Sequence, residues 1–287
     1  MVSTSDLWAI VATAGNVPAL ERDELRRSLE LAAGGRSDRV LLATCHRVEL
    51  YGTGPIPATA LQVLSGSSAV EHLLRVAAGL ESAVRGEDEV LHQVRGAIAE
   101  ARANRHVDGS LVRLFETAIA AGRKSRSGRH AQTPGLADRA VAWLAQRFGL
   151  AGKPVLVVGA GPVGLALARA VRRHGAELTV ASRHGRVVHG VSAIDLEQAA
   201  DRAPAMAATA VALAGPWAAA NELPPTVDLS SPTAVSPTAR ARLGPDFLGI
   251  DDLFKDGGAA PRGYVELAET IVLSKTAEYM AWSGVRA

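Results

Sequence analysis

The spacing of apolar and polar positions divides the first 133 residues into alternating strands and helices. Short apolar runs predict strands, whereas apolar residues three and four positions apart predict helices with one buried face. The pattern predicts strands at 7–12, 40–44 and 46–51, a helix that begins near Pro18, and helices at 69–80, 91–103 and 111–121. Polar and apolar residues alternate in 46–51, which predicts a half-exposed strand. Thr133-Pro134-Gly135 favours a break in the chain, so we expect this α/β unit to end there.

The remaining chain has a different pattern, in which fully apolar strands alternate with helices. The run 155–158 is apolar throughout, as in a parallel strand buried on both faces. A helix at 165–174 and a strand at 177–181 complete a βαβ unit. Further strands are predicted at 210–214, 226–229 and 247–250, and amphipathic helices at 137–148 and 264–282. The predicted fold is therefore α/β, with an N-terminal α/β domain at 1–133, a Rossmann-type domain at 134–258 and a C-terminal helix at 259–287.

The loop after the apolar strand has the glycine pattern of a dinucleotide site. It reads Gly159-Ala160-Gly161-Pro162-Val163-Gly164 and lies between a strand and a helix, the context that gives the pattern its meaning. Gly159 permits the tight turn, Gly161 lets the backbone approach a pyrophosphate, and Gly164 lets the helix pack closely on the strand. The amino end of the helix then meets the negative charge. A glycine-rich turn without a ligand is the alternative.

The end of the second strand of this unit indicates which nucleotide binds. An NAD site needs an acidic residue there to accept hydrogen bonds from the ribose 2′-hydroxyl. This chain has Ser182, Arg183 and Arg186 instead, and Glu177 is at the far end of the strand. A hydroxyl and two guanidinium groups suit a 2′-phosphate, so we predict NADPH as the cofactor.

Cys45, the only cysteine, falls at the junction of two predicted strands, beside His46 and two residues before Arg47. Positive charge nearby favours the thiolate, which is the nucleophilic form. The sequence therefore offers Cys45 as a nucleophile. The alternative is a small apolar residue that fills the end of a strand.

Composition limits the class of protein. Hydrophobic residues make up 48% and charged residues 21% of the 287, as in a folded soluble protein. One cysteine excludes an intrachain disulfide and suits a reducing compartment. No signal peptide and no apolar run of about 18 residues is present, so we expect a cytoplasmic protein without membrane contact. We predict no metal site.

Basic residues are concentrated in one region although the net charge is only +2. The stretch 123–130 contains no carboxylate, and Arg102, Arg105 and Arg113 precede it. One interpretation is a solvated helix end with cations in its last turn. The other is a surface that contacts phosphates.

A cysteine nucleophile and NADPH together suggest one reaction class. The thiolate attacks an activated acyl group to form a thioester, and hydride from the nicotinamide converts the thioester to an aldehyde. A good leaving group makes the attack easier, so a catalytic triad is not required.

Several blocks of the sequence resemble the glutamyl-tRNA reductase family, which starts tetrapyrrole (porphyrin) synthesis from glutamyl-tRNA. The most specific blocks are "ATCHRVELY" around Cys45 and the segment 71–87 with its continuation "GEDEVLHQVR". Later blocks are "VLVVGAGPVG", "VDLSSP" at 227–232 and "GIDDL" at 249–253, so the resemblance covers most of the chain. It implies NADPH-dependent reduction of glutamyl-tRNA to glutamate-1-semialdehyde through a cysteine thioester.

The resemblance also implies roles for individual residues. Cys45 matches the family's nucleophile, and His72 matches a histidine near the reacting centre that could move protons. The residues that match the substrate pocket are Thr44, Arg47, Ser82, Glu87 and Gln93. Arg47 could form a bidentate pair with the γ-carboxylate of glutamate. As alternatives, His72 and Gln93 could be satisfied helix polar groups, and Ser82 could be a helix cap.

The chain departs from the family pattern at several positions. His46 stands where the family has Asn, Val48 where it has Thr, and Thr233 where it has Arg. "TAGNVP" keeps only Pro18 of an N-terminal family motif. The sequence ends at Ala287, partway along what resembles the family's spine helix, so we expect the C-terminal dimerisation domain to be absent. Charged tRNA is the expected partner, and homodimer formation stays open.

Other functions remain compatible with the sequence. The enzyme could reduce another aminoacyl-tRNA or acyl thioester in specialised metabolism. It could be a non-catalytic paralogue that regulates a true reductase, although Cys45, Arg47, His72 and Ser82 would then have no physical reason to be kept together. A plain NADP-dependent dehydrogenase would not need the first 133 residues.

Overall fold

The computed structural model describes residues 7–44, 46–82, 85–86, 88–127, 135–183, 193–213, 215–218, 222–231, 233–255 and 263–284. These residues form two compact units. The first comprises Met1–Thr133 together with Gly257–Ala287, and the second comprises Pro134–Asp256. None of the described helices is long and apolar enough to cross a membrane.

The first unit is built on a four-stranded antiparallel sheet in the order β2-β3-β1-β4. Its strands are β1 Leu7–Thr13, β2 Arg39–Ala43, β3 Arg47–Thr53 and β4 Gln62–Ser65. Its helices are α1 Ala19–Ala33, α2 Ser67–Ala77, α3 Glu89–Asn104, α4 Gly109–Arg126 and α10 Tyr264–Gly284. The C-terminal helix α10 packs on α2 and α4, and it adds Tyr264, Ala268 and Ile271 to the main core.

Strand β3 is buried along its whole length, so the expectation of a half-exposed strand over 46–51 was wrong. Tyr51 packs into the core formed with α2, α3 and α4, whereas Val48 and Leu50 pack with Leu29 of α1. Helices therefore cover both faces of the sheet. The alternation in the sequence separates a charged buried face from an apolar buried face, and it does not separate core from solvent.

Local chemistry explains where the helices end. Helix α2 ends at Ala77, three residues before the predicted end at 80, because Gly79 takes the left-handed conformation (φ 72°). Helix α4 is longer than predicted, since Asp108 accepts a hydrogen bond from the Ser110 amide at 2.8 Å and caps its amino end. Its last turn carries Arg123, Lys124 and Arg126, as the helix-end interpretation of the basic stretch expects.

The second unit is a six-stranded parallel sheet in the order β10-β9-β8-β5-β6-β7. Its strands are β5 Pro154–Val158, β6 Glu177–Ala181, β7 Ala193–Ile194, β8 Ala208–Val211, β9 Thr226–Asp228 and β10 Phe247–Gly249. Its helices are α5 Leu136–Phe148, α6 Pro162–Arg173, α7 Leu196–Arg202, α8 Pro237–Leu243 and α9 Ile250–Lys255. Counted from β5, this is the doubly wound order 3-2-1-4-5-6. The predicted α/β fold with a Rossmann-type sheet is confirmed.

Candidate active site

Three polar side chains share the face of β3 that packs against α2, α3 and α4. Arg47, Glu49 and Tyr51 occupy alternate positions, and alternate residues of a strand point to the same side of a sheet. Helix α2 places His72 over this face. The carboxylate of Glu49 is completely buried, so its neighbours must satisfy it.

Glu49 is the centre of this group. Its Oε1 atom accepts a hydrogen bond from Arg47 Nη1 at 2.9 Å and lies 3.0 Å from His72 Nε2. Its Oε2 atom accepts from the Tyr51 hydroxyl at 2.7 Å. The sequence analysis did not single out Glu49 and Tyr51. Their signal was polar side chains at period two within a strand whose intervening positions are apolar.

The surroundings keep Glu49 ionised. Burial alone would raise the pKa of this carboxyl, but the positive charge of Arg47 and the contact with His72 lower its pKa to about 2. Burial and the adjacent carboxylate raise the pKa of Tyr51, which therefore stays a hydrogen-bond donor. An ionised carboxylate can only accept hydrogen bonds, so His72 Nε2 carries the proton and Nδ1 is the remaining nitrogen.

Arg47 also holds the segment that follows α2. Its Nη2 atom donates to the carbonyl oxygen of Glu81, next to Ser82. The Ser82 hydroxyl oxygen is buried and has no hydrogen-bond partner within the described part of the chain. Ser82 does not cap a helix, because α2 ends at Ala77 and the N-cap position of α3 is Asp88. The structure therefore links Arg47 to His72 through Glu49 and to the backbone beside Ser82, whose hydroxyl has no described partner.

Thr44 closes the end of the β2–β3 pair. Its amide donates to the Arg47 carbonyl at 2.8 Å, and its hydroxyl accepts from the amides of His46 and Arg47 at 3.2 Å each. Thr44 thus fixes the start of the strand that carries Arg47. Cys45 and Glu87 lie outside the described residues.

Gln93 lies on a separate surface of the same unit. It lines a cavity of about 370 Å³ between α1, β2 and α3, together with Leu41, Ala43 and Gly96. No described hydrogen bond joins Gln93 to Arg47 or His72 in the parts of the chain that the structure covers. The cavity nevertheless reaches Ala43, the residue before Thr44.

The dinucleotide loop of the second unit shows why glycine is required at two positions. A Cβ atom on Gly159 would lie 2.0 Å from the Ala212 carbonyl oxygen, and one on Gly164 would lie 2.0 Å from the Gly159 carbonyl oxygen. Gly159 follows β5 and Ala212 follows β8, the two strands between which the sheet order reverses. Ligands of doubly wound sheets bind at this reversal.

Gly161 differs from the other two glycines of the loop. It is exposed, it precedes α6, and nothing lies within 4 Å of a Cβ atom built there. Space and a helix amino end are therefore available to a pyrophosphate, so the loop fits a dinucleotide. Half-buried Ser182 and exposed Arg183 follow β6 at the same sheet edge, since Val158 pairs with Ala181. Arg186 lies outside the described residues.

Comparison with known proteins places this arrangement in a family. Residues 16–128 match the family described as "Glutamyl-tRNAGlu reductase, N-terminal domain". "Glutamyl-tRNA reductase 2" of Nocardioides sp. is 32% identical, over 93% of this chain and 70% of that protein. "Glutamyl-tRNA reductase" of Thermus thermophilus is 30% identical, over 89% of this chain and 74% of that protein.

The chain belongs to the glutamyl-tRNA reductase family. A solved structure, the glutamyl-tRNA reductase from Methanopyrus kandleri, covers 96% of the chain with a TM-score of 0.50 and 25% identity. The match covers 79% of that structure. The family resemblance inferred from the sequence blocks is thereby confirmed.

Members of this family are named for a tRNA substrate, and the first unit has a surface on which three of the predicted basic residues meet. Arg102, Arg105 and Arg113 line one shallow cavity of about 880 Å³ between α3, α4 and α10, together with Trp282. The Arg113 guanidinium lies 5.7 Å from the centre of the Trp282 ring. Glu116 is the only carboxylate among the described residues that line this cavity.

Proposed function

We propose that this protein is an NADPH-dependent reductase of glutamyl-tRNA that forms glutamate-1-semialdehyde through a thioester on Cys45. The observation that carries the proposal is the buried group of Arg47, Glu49 and His72, together with the Ser82 hydroxyl, which has no hydrogen-bond partner among the described residues. The resemblance to the family implies a site role for Arg47, His72 and Ser82, and the chain belongs to that family.

In the first step, the Cys45 thiolate attacks the carbonyl carbon of the ester that joins glutamate to the terminal ribose. The carbon–oxygen ester bond breaks, and the tRNA leaves as an alcohol after gaining a proton. Nδ1 of His72 is suited to take the proton of the Cys45 thiol as the thiolate forms and then to give it to the leaving oxygen, because Glu49 holds Nε2 as the protonated ring nitrogen. The product of this step is a glutamyl thioester.

In the second step, the thioester is reduced to the aldehyde, and the Cys45 thiolate is released. Bound NADPH supplies the hydride for this reduction. The chain's contribution is the glycine loop, where Gly161 leaves room for the pyrophosphate, and Ser182 and Arg183, which suit a 2′-phosphate. NADPH is the reduced form of the cofactor and therefore suits the conversion of a thioester to an aldehyde.

Recognition of glutamate is assigned to Arg47 and Ser82. Two terminal nitrogens of Arg47 have partners within the chain, and a guanidinium group has further N–H donors for the γ-carboxylate. The Ser82 hydroxyl gains a hydrogen bond when a polar group of the substrate enters, which removes the cost of a buried unpaired oxygen. Thr44 and Glu87 are assigned to the same pocket, and Gln93 is assigned to the separate cavity that reaches Ala43.

The tRNA is proposed to lie across the cavity lined by Arg102, Arg105 and Arg113. Guanidinium groups pair with phosphate oxygens, and the edge of Trp282 offers a surface for a base or a ribose. The structural arrangement thus favours the phosphate-contacting interpretation for these three residues. Arg123 and Lys124 lie at the opposite end of α4 and stay with the helix-end interpretation.

A single-turnover assay tests the proposed reaction. The unmutated protein should convert glutamyl-tRNA and NADPH to the aldehyde, whereas Cys45→Ser should bind the charged tRNA and form no aldehyde. A panel of other charged tRNAs tests the choice of glutamate, because Arg47 favours an acid side chain. Absence of turnover by the unmutated protein with every acyl donor would favour a regulatory paralogue instead.

A further inference from the structure

The segment between α2 and α3 forms a loop that closes on itself. We call its described residues, 78–82 and 85–86, the Ser82 loop. The Gly86 amide donates to the Gly79 carbonyl at 2.9 Å, and both glycines are left-handed, with φ values of 82° and 72°. A Cβ atom on Gly79 would lie 3.0 Å from the Gly86 nitrogen, so the neck of the loop accepts no larger residue without a shift.

The C-terminal helix α10 holds this neck from outside. Buried Tyr264 donates its hydroxyl to the Ala78 carbonyl at 2.6 Å. Its ring lies against Gly86, where a Cβ atom would be 2.9 Å from Tyr264 Cε1. Tyr264 therefore contacts both ends of the Ser82 loop.

A second contact from α10 reaches the loop through Arg75 of α2. Glu269 Oε2 accepts from Arg75 Nη1 at 2.6 Å, and Arg75 Nε donates to Glu81 Oε1 at 2.6 Å. Burial opposes the charge of Arg75, but its hydrogen bonds to Glu81 and Glu269 dominate and raise the pKa of Arg75. The contact is a continuous ionic bridge between α10 and the loop.

The bridge continues into the candidate active site. The carbonyl of the same Glu81 accepts from Arg47, and Arg47 pairs with Glu49, which contacts His72. A displacement of Glu81 therefore changes the place of the Arg47 guanidinium and of the neighbouring Ser82 hydroxyl. Ala78 and Leu80 anchor the first part of the loop in the core, so the polar contacts of Glu81 decide the position of the residues that follow.

We infer that Tyr264 and Glu269 are positioning residues, which fix the Ser82 loop so that Arg47 and Ser82 meet the substrate. The inference rests on the proposed function and extends it to a helix that is distant in sequence from the site. Neither residue touches the acyl group. Loss of either contact is expected to weaken substrate recognition more than it slows the chemical step.

The chain offers a matched control on the same helix. Tyr279 is as buried as Tyr264 and donates its hydroxyl to the Ser110 carbonyl at 3.0 Å, at the amino end of α4 and away from the Ser82 loop. Tyr264→Phe and Tyr279→Phe each remove one hydroxyl from α10. A purely structural role of α10 predicts equal effects of the two variants.

The kinetic experiment compares Tyr264→Phe, Glu269→Gln and Tyr279→Phe with the unmutated protein. Tyr264→Phe and Glu269→Gln should raise the KM for glutamyl-tRNA about tenfold, the effect of one lost charge-assisted or buried hydrogen bond, with a smaller change in kcat. Tyr279→Phe should lower the thermal stability about as much as Tyr264→Phe does, but it should leave the KM for glutamyl-tRNA unchanged. Glu269→Asp keeps the negative charge, so its KM for glutamyl-tRNA should lie between those of the unmutated protein and Glu269→Gln.

Hydrogen exchange provides a readout that needs no activity. The amides of the Ser82 loop, including Gly86, should exchange faster in Tyr264→Phe and Glu269→Gln and at the unmutated rate in Tyr279→Phe. Equal KM values, or equal exchange rates in all three variants, would overturn the inference. If the unmutated protein reduces no acyl-tRNA, the proposed function fails, and the exchange rates alone decide whether α10 fixes the loop.

Discussion

The Nε2 atom of His72 lies 3.0 Å from Oε1 of Glu49, on the face of β3 that packs against α2, α3 and α4. Glu49 keeps its charge there because Arg47 pairs with the same oxygen at 2.9 Å. The imidazole is therefore held by a carboxylate that does not take up its proton at neutral pH. This relationship fixes the orientation of the ring and leaves Nδ1 as the nitrogen that can exchange protons.

Glu49 should make the stability of the first unit sensitive to acid. Its folded pKa, about 2, lies below the ordinary value of 4.5, so its contribution is complete above pH 4.5 and is lost as the pH falls toward 2. A difference of two to three pH units corresponds to about 3 kcal/mol of unfolding free energy. Urea unfolding of the unmutated protein and of Glu49→Gln, each measured at several pH values, would show this contribution.

Glu49→Gln should be less stable than the unmutated protein at pH 7, because the variant leaves buried Arg47 without its carboxylate. The difference in unfolding free energy between the two proteins should become smaller as the pH falls, because protonation of Glu49 in the unmutated protein removes the same charge that the substitution removes. A gap that stays constant from neutral to acidic pH would contradict the assigned ion pair.

Removal of the His72 imidazole should slow thioester formation. His72→Ala is expected to lower the single-turnover rate about 100-fold, the usual size of a general acid contribution. His92→Ala is a suitable control, because His92 is exposed on α3 and its Nδ1 atom lies 3.1 Å from a backbone carbonyl, that of Asp88. Equal rates for the two variants would argue against a proton-transfer role of His72.

The glycine loop allows cofactor binding to be separated from folding. Gly161→Ala should fold normally, because its φ is −75° and the added methyl group meets no atom within 4 Å. The methyl group would occupy the approach of the pyrophosphate, so the Kd for NADPH should rise at least tenfold in a fluorescence titration. Gly159→Ala should instead lower the unfolding temperature, because its methyl group would meet the Ala212 carbonyl. Unchanged NADPH affinity in Gly161→Ala would contradict the proposed site.

The cavity of Arg102, Arg105 and Arg113 should contribute to tRNA affinity through phosphates. Replacement of Arg102 and Arg113 by Ala should weaken binding of uncharged tRNA and lower the slope of log affinity against log salt by about 1 to 2, according to two lost phosphate contacts. Replacement of Arg123 and Lys124 removes the same charge from the far end of α4 and serves as the control. Equal losses of tRNA affinity in the two double variants would indicate a general electrostatic attraction and would argue against a defined binding surface.

Much of the second unit followed from local rules that act within a few residues. The apolar strand 154–158, the glycine loop and the helix behind it were readable because each of their requirements is local: burial on both faces, a tight turn and close packing. The fold class followed from the alternation of strands and helices. The two-residue strand β7 gave no such signal, because it is defined only by its pairing with β6.

The candidate site was predicted less completely. The family resemblance predicted Arg47, His72 and Ser82 as site residues, yet the partners of these groups come from chain segments far apart in sequence. In the sequence, Glu49 is an ordinary polar residue of a strand, and only the fold shows that α2 places His72 next to it. Tyr264 reads as part of an amphipathic helix until α10 packs beside the Ala78 carbonyl.

The sequence by itself determined most of the elements, the dinucleotide loop and the family, because periodicity, glycine geometry and motif spacing are properties of contiguous residues. Only the tertiary structure decided that β3 is buried on both sides, that one carboxylate serves Arg47, Tyr51 and His72, and that the C-terminal helix holds the Ser82 loop. Each of these features depends on which segments, distant in sequence, pack against one another and exclude water. Burial makes a polar contact strong, and burial is a property of the assembled fold.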